Sequence, residues 1–364
     1  MLSFMSIAVV SIVWVLWGYS LAFGTGNAYI GDLSLLGLSG VPFASGEGDA
    51  YPELAFVSFQ MMFAIITPAL ITGAFAERFQ IKTYLIFLVL WSTLVYSPIT
   101  HWVWAEKGWL LELGALDFAG GTVIHINAGV AAVAAALIVG KRRNPGLQPN
   151  NVPYVVLGAA ILWFGWFGFN AGSALAANDS AANAFLVTNV AAATAALTWG
   201  LISMCRTGKI GAVGVATGAV AGLVAITPAA GAVGVLGSLA IGFGAGLICF
   251  FAVELIHKTN MDDALDVFAV HGIGGIWGAI ATGIFALEAI GGTSGLIEGN
   301  AKQVGIQAVG VVATLLYSGV VTLIIMFILD KIPGLGLRAD ESDEDLGLDL
   351  ASHGEQATVR DGAD

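Results

Sequence analysis

Two of the five histidines sit where a histidine is expensive. His125 lies in the run GGTVIHINAGVAAVAAA and His271 in VHGIGGIWGAIATG, both apolar and rich in glycine and alanine. They are 146 residues apart, and each follows an acid, Asp117 before His125 and Asp266 before His271. Ionisable groups inside an apolar span cost several kcal/mol, so by default they mark a pathway. Two neutral imidazoles can share one N–H···N hydrogen bond, leaving one free donor and one free acceptor. Desolvation penalises the imidazolium, so such a pair stays neutral in an apolar lumen. It suits a small polar neutral molecule or a relayed proton. The plainer alternative is two unrelated buried histidines, each bonded to backbone carbonyls. A metal site is the weakest reading, since no carboxylate or third histidine lies within a turn of either. His101, His257 and His353 read as ordinary interfacial or solvated histidines. Cys205 and Cys249 read as small packing residues, because two cysteines make neither a disulfide framework nor a metal cage.

The elements that position these residues follow from composition. Of 364 residues, 57% are hydrophobic and 10% charged, against roughly 25% charged in an ordinary soluble domain. Mean hydropathy is +0.87. A soluble globular protein, a disordered chain and a nucleic-acid binder are excluded; 13 Lys+Arg against 25 Asp+Glu leave no basic surface. A bilayer-crossing helix needs about 20 apolar residues. Ten such segments are read, at approximately 2–23, 53–75, 83–104, 118–139, 153–171, 184–204, 212–229, 233–256, 268–287 and 302–329. The first is a membrane helix, with no cleavable leader expected. The fold class is an all-α polytopic membrane protein, divided into a transmembrane domain 1–329 and an acidic tail 330–364.

If the spans alternate, Arg78, Lys82, Lys141, Arg142, Arg143, Arg206, Lys209, Lys258, Lys331, Arg338 and Arg360 fall on one side, and only Lys107 and Lys302 on the other. Positive charge collects on the inner side, so both ends of this chain are expected to be cytoplasmic. The tail carries ten Asp/Glu and three Lys/Arg. It reads as a solvated extension or as a docking element for a regulator. Asp32, Glu47, Asp49, Glu53, Glu106 and Glu112 make the outer loops acidic too, which suits a high-salt habitat or the concentration of a cation. Spans 4 and 9 start on opposite sides, as an inverted repeat requires, and a pseudo-two-fold axis would bring His125 and His271 face to face. Trp102, Trp104, Phe63, Trp163, Trp166, Phe167 and Phe169 gather near outer span ends. They form an interface belt or a vestibule whose ring faces attract an ammonium-type cation, with the Ser173 hydroxyl as an acceptor.

Four motifs, in order along the chain, carry a resemblance: Asp117-Phe-Ala-Gly-Gly-Thr-Val-Ile-His125-Ile-Asn-Ala-Gly through Gly140-Lys-Arg142; Gly165-Trp-Phe-Gly-Phe169-Asn-Ala-Gly-Ser173; Asp266-Val-Phe-Ala-Val-His271-Gly; and Gly336-Leu-Arg followed by Ser352-His-Gly-Glu. Together they resemble the ammonium transporter family (Amt/Mep/Rh), and most its microbial Amt branch. The resemblance implies the ammonium-transporter fold and a homotrimer with one pore per subunit. It implies that His125 and His271 are the twin-histidine pair and that Phe63 and Phe169 are the phenyl gate. Trp104, Phe63 and Ser173 would be the outer ammonium site, with Asp117 the buried acid beside it. Asn170, Trp166, Thr227 and Asp266 would be structural residues near the pore. A P-II-type regulatory protein would dock on the cytoplasmic face. The expected activity is ammonium uptake across the cell membrane: ammonium is deprotonated and ammonia passes the pair, with or without a relayed proton. No enzyme activity, cofactor, metal or nucleic acid is implied. The alternatives are an ammonium sensor signalling through its tail and an Rh-like channel for neutral gas. The family pattern has eleven spans; this chain opens where the second begins. A recorded start at an internal methionine is the expected cause, and a true lack of the helix the alternative.

Overall fold

The computed structural model describes residues 1–46, 50–143, 145–146 and 149–355. Glu47, Asp49 and Arg360 lie outside them. Nine helices of the described residues are long and apolar enough to cross a membrane. They are α1 (Leu2–Phe23), α2 (Glu53–Phe75), α3 (Ile81–Leu113), α4 (Gly121–Val139), α5 (Val152–Ala174), α6 (Asp179–Thr207), α8 (Val235–Ile256), α9 (Phe268–Phe285) and α10 (Ala301–Lys331). The seventh expected span forms a shorter helix, α7 (Ala212–Ile226), of 15 residues.

At 1.5 Å per residue α7 covers only about 22 Å, less than the roughly 30 Å hydrocarbon core. The apolar sequence continues through Thr227-Pro-Ala-Ala-Gly-Ala-Val233, but not as helix. Irregular backbone at membrane depth survives only when protein satisfies it, and here it does. The Pro228 carbonyl accepts from Phe118 N, and the Ala232 carbonyl from Leu287 N. Asn183 Nδ2 donates to the carbonyls of Ala230 and Val233 at 3.2 and 3.0 Å. A Cβ on Gly121 would lie 2.6 Å from the Pro228 ring, so only glycine lets α4 begin against this break.

α4 and α9 are antiparallel neighbours. Gly129 packs on Gly272, and Gly275 on His125 and Ile126, so the contacts run in opposite directions along the two helices. Each helix opens in a π-helical turn, Gly121–Ile126 and Phe268–Gly272, and each turn holds the histidine. π-turns inside α-helices concentrate at functional sites.

Two expectations are corrected. His101 is neither interfacial nor solvated: it is fully buried, with Nδ1 2.9 Å from the Ala22 carbonyl and Nε2 2.6 Å from the Asn27 carbonyl. It pins the chain leaving α1, where Trp102 Nε1 also donates to the Tyr29 carbonyl. The tail as far as Glu355 is not simply solvated. Its first residues pair with the α2–α3 turn: Gln80 N donates to the Leu337 carbonyl, and Ala339 N to the Arg78 carbonyl, both at 2.9 Å. Two short helices follow, α11 (Glu341–Leu346) and α12 (Leu348–His353). Arg338 pairs with Glu344, whose side chain is only 5% exposed, and Arg143 pairs with Glu341 and Asp345. Arg78 is fully buried and donates to the carbonyls of Gly140, Ala74, Ala76 and Asp262, which ties three loops of this face together.

Candidate functional site

The two histidines meet. Nδ1 of His125 lies 3.2 Å from Nδ1 of His271, with ring centroids 5.3 Å apart and planes inclined by 27°. A bond between two Nδ1 atoms needs one ring to donate and the other to accept. The rings therefore carry opposite tautomers, one Nε2 left as a donor and the other as an acceptor. His125 is 1% exposed and its Nε2 has no partner, whereas His271 is half-buried.

Aromatic rings cover the His125 side. Trp166 stacks on His125 at 5.4 Å and 18°, and Phe169 stacks on Trp166 at 4.8 Å and 20°. Trp166 is held by its own hydrogen bond: Nε1 donates to Thr227 Oγ1 at 2.9 Å, and that hydroxyl donates to the Leu223 carbonyl at 2.8 Å. Thr227 is the first residue of the break after α7, so the break sets the plane of Trp166 and through it that of His125. Asn170 donates to Thr188 Oγ1 at 2.8 Å and fixes the next turn of α5.

Phe63 meets Phe169 edge-on at 4.7 Å and 89°. Trp104 lies 5.6 Å from Phe63, its plane inclined by 60°. Its Nε1 donates to the Asp117 carbonyl at 2.8 Å, so the N–H is already taken. Ser173 Oγ donates to the Phe169 carbonyl at 2.9 Å, which leaves the oxygen lone pairs to face elsewhere. The structure thus joins Trp104, Phe63, Phe169, Trp166, His125 and His271 into one continuous row. Ser173 stands beside that row, on the backbone of Phe169.

Asp117 is a cap. Oδ1 accepts from the amides of Gly120 and Gly121; Oδ2 accepts from those of Thr122 and Val123 and from the Thr122 hydroxyl. It thereby satisfies the orphan amides that open α4. Asp266, at a positive φ of 57°, turns instead to His257, whose Nε2 is 2.7 Å from Oδ1. The acid that stands to His271 as Asp117 stands to His125 is Asp263, eight residues ahead in both cases. Asp263 Oδ2 accepts from Phe268 N at 2.7 Å, capping α9. The repeated spacing Asp-x7-His was present in the sequence; reading outward from His271 to the nearest acid passed over it. The glycines four residues after each histidine, Gly129 and Gly275, were a second unused signal. Phe59 was a third: its ring lies 4.8 Å from Phe63 and against Gly172. Burial, aided by Asp266, pushes the Asp263 carboxyl up to about 6, against the pull of the Phe268 and Val267 amides and Arg78. Burial raises Asp266 as well, opposed by His257.

The sequence profile of the Ammonium Transporter Family matches residues 1–358. An ammonium transporter of Aquifex aeolicus is 51% identical over 98% of this chain and 84% of its own length. One from Bacillus subtilis is 50% identical over 98% of this chain and 88% of its own. The crystal structure of Saccharomyces cerevisiae Mep2 superposes with a TM-score of 0.90 at 40% identity, covering 98% of this chain and 84% of that one.

Proposed function

The chain belongs to the ammonium transporter family, and from that premise we propose that it recruits ammonium outside, deprotonates it, and passes ammonia along the His125–His271 pair. The observation that carries this reading is the 3.2 Å contact of the two imidazoles behind the edge-on Phe63–Phe169 pair. Trp104 and Phe63 offer ring faces to a cation, Ser173 offers hydroxyl lone pairs, and Asp117 adds a fixed negative field. A bare ammonium ion in a dry lumen would bear a desolvation cost of several kcal/mol, and loss of a proton removes most of it. Ammonia then exchanges hydrogen bonds with the free Nε2 groups. A proton entering at one Nε2 and leaving at the other reverses both tautomers, so the pair relays charge separately from the nitrogen. K⁺ cannot shed a proton and is turned back by the dry row beyond the outer site.

The protein works in the cell membrane with its tail on the cytoplasmic face, as a homotrimer. α5 supports that assembly: it buries only Trp166 and Asn170 and leaves Tyr154, Ile161 and Phe164 outward. A P-II-type protein docks on the tail and the basic loops.

The test is the double variant H125A/H271A in proteoliposomes. K⁺ current beside the ammonium current is the expected result. Unchanged selectivity would remove the histidines from the mechanism.

A further inference from the structure

The two Asp-x7-His units are not completed alike. The fifth residue after Asp117 is Thr122, whose amide and hydroxyl both donate to Oδ2. The fifth residue after Asp263 is Phe268, which offers an amide and no hydroxyl. Asp263 Oδ1, unlike Asp117 Oδ1, which accepts from the Gly120 and Gly121 amides, has no hydrogen-bond partner, although the residue is only 5% exposed. Nor does a cation form an ion pair with it among the described residues, although Arg78 is near enough to be felt. Arg78, from the α2–α3 turn, directs its guanidinium to carbonyls. Arg142, after α4, is held by Asp262 and Glu77, and His257, at the end of α8, by Asp266.

An acid that is buried, free at one oxygen and poised near neutrality has what proton exchange requires. It stands at the start of the helix that carries His271, the more exposed ring of the pair. We propose that Asp263 is the proton-exchange group at the inner mouth of the pore, taking up through an intervening water the proton that His271 releases. The His271 N–H bond breaks as an Asp263 O–H bond forms. That O–H bond breaks in turn as the proton passes to bulk water or to emerging ammonia. Asp117, saturated by five donors, serves as a fixed cap, while Asp263 caps with one oxygen and exchanges with the other. This assignment rests on the imidazole relay proposed above.

Ammonium-evoked charge movement on solid-supported membranes, with internal pH varied, tests it. Asp263→Asn keeps an acceptor for the Phe268 amide but cannot take a proton; it is expected to lower the charge moved by at least about tenfold. In the unaltered protein, inward charge movement falls as internal pH drops through about 6, because protonated Asp263 accepts nothing. Phe268→Thr supplies the hydroxyl that Thr122 gives Asp117 and stabilises the carboxylate. It should move that midpoint about one pH unit lower, and it decides the matter if Asp263→Asn does not fold. Selectivity lost in H125A/H271A but charge movement unaltered in Asp263→Asn, or a midpoint unmoved by Phe268→Thr, overturns the Asp263 assignment alone. Ammonia flux without charge in the unaltered protein, or K⁺ still excluded in H125A/H271A, overturns the relay and this assignment together.

Discussion

Gly129→Ala tests whether helix separation controls the histidine pair. The added Cβ would lie 2.4 Å from both Cα and N of Gly272. Both are backbone atoms of a packed helix and cannot swing aside. Carbon atoms settle at about 3.5–4.0 Å, so α4 and α9 must part by at least about 1.1 Å. If the rings follow their helices, the Nδ1–Nδ1 distance grows from 3.2 Å to about 4.3 Å, beyond any hydrogen bond. Overpacking costs about 1–3 kcal/mol, and alanine's helix propensity returns about 1 kcal/mol of it, so the variant should fold with a slightly lower Tm. Transport should suffer far more than stability, since the relay is broken outright. Gly275→Ala is the graded partner. Its Cβ would meet the Ile126 side chain at 3.0 Å and both the Gly121 carbonyl oxygen and His125 Cβ at 3.1 Å, so a shift of a few tenths of an ångström relieves it. Gly305→Ala, with nothing within 4 Å of its Cβ, is the control. Ammonium-evoked currents normalised to incorporated protein should fall in the order Gly305→Ala, Gly275→Ala, Gly129→Ala. A Gly129→Ala protein that conducts and selects like the parent, or a reversed order, refutes the argument.

Thr227→Val leaves the buried Trp166 Nε1 without its acceptor, a cost of about 1–3 kcal/mol; tryptophan fluorescence should change and transport fall, with Thr227→Ser restoring both. Asp117→Ala removes every acceptor that caps α4, so detergent-solubilised protein should lose much more thermal stability than Thr122→Val, which loses one hydroxyl bond of about 1 kcal/mol. Arg338→Ala breaks the pair with Glu344 and frees the tail helices; limited proteolysis of residues 339–355 should quicken several-fold while the membrane-spanning part stays intact.

Much of this was legible in the residues themselves. Apolar runs of spanning length placed nine of the ten helices, because bilayer thickness dictates helix length almost alone. The histidine pair was legible because a titratable group in such a run is costly enough to need a reason. α7 was not, since Thr227–Val233 is as apolar as a helix; what ends the helix is Pro228 and the loop partners waiting for its carbonyls, and hydropathy records neither. His101 was misread because its carbonyl partners, at Ala22 and Asn27, lie 79 and 74 residues away. The acidic tail was read from net charge, but its attachment depends on a few groups, Leu337, Arg338 and Glu344, that composition averages away.

The glycines make the chemistry depend on packing. In a membrane, helices gain nothing from hiding apolar surface from one another, so close approach comes from small residues and van der Waals contact. A glycine four residues after each histidine places the smallest residue one turn along on the same face. Each helix thus presents an imidazole and, beside it, the gap that the opposite helix fills. The π-turns add one residue to the turn that holds each ring. Nothing larger than hydrogen fits at Gly129, so the distance between rings is set by backbone against backbone, the least compliant contact available. A separation fixed that firmly keeps the imidazoles within hydrogen-bonding range and leaves no room for the water shell of an ion. Widening the row by the diameter of a methyl group would admit both water and K⁺, which is why selectivity should fail before folding does.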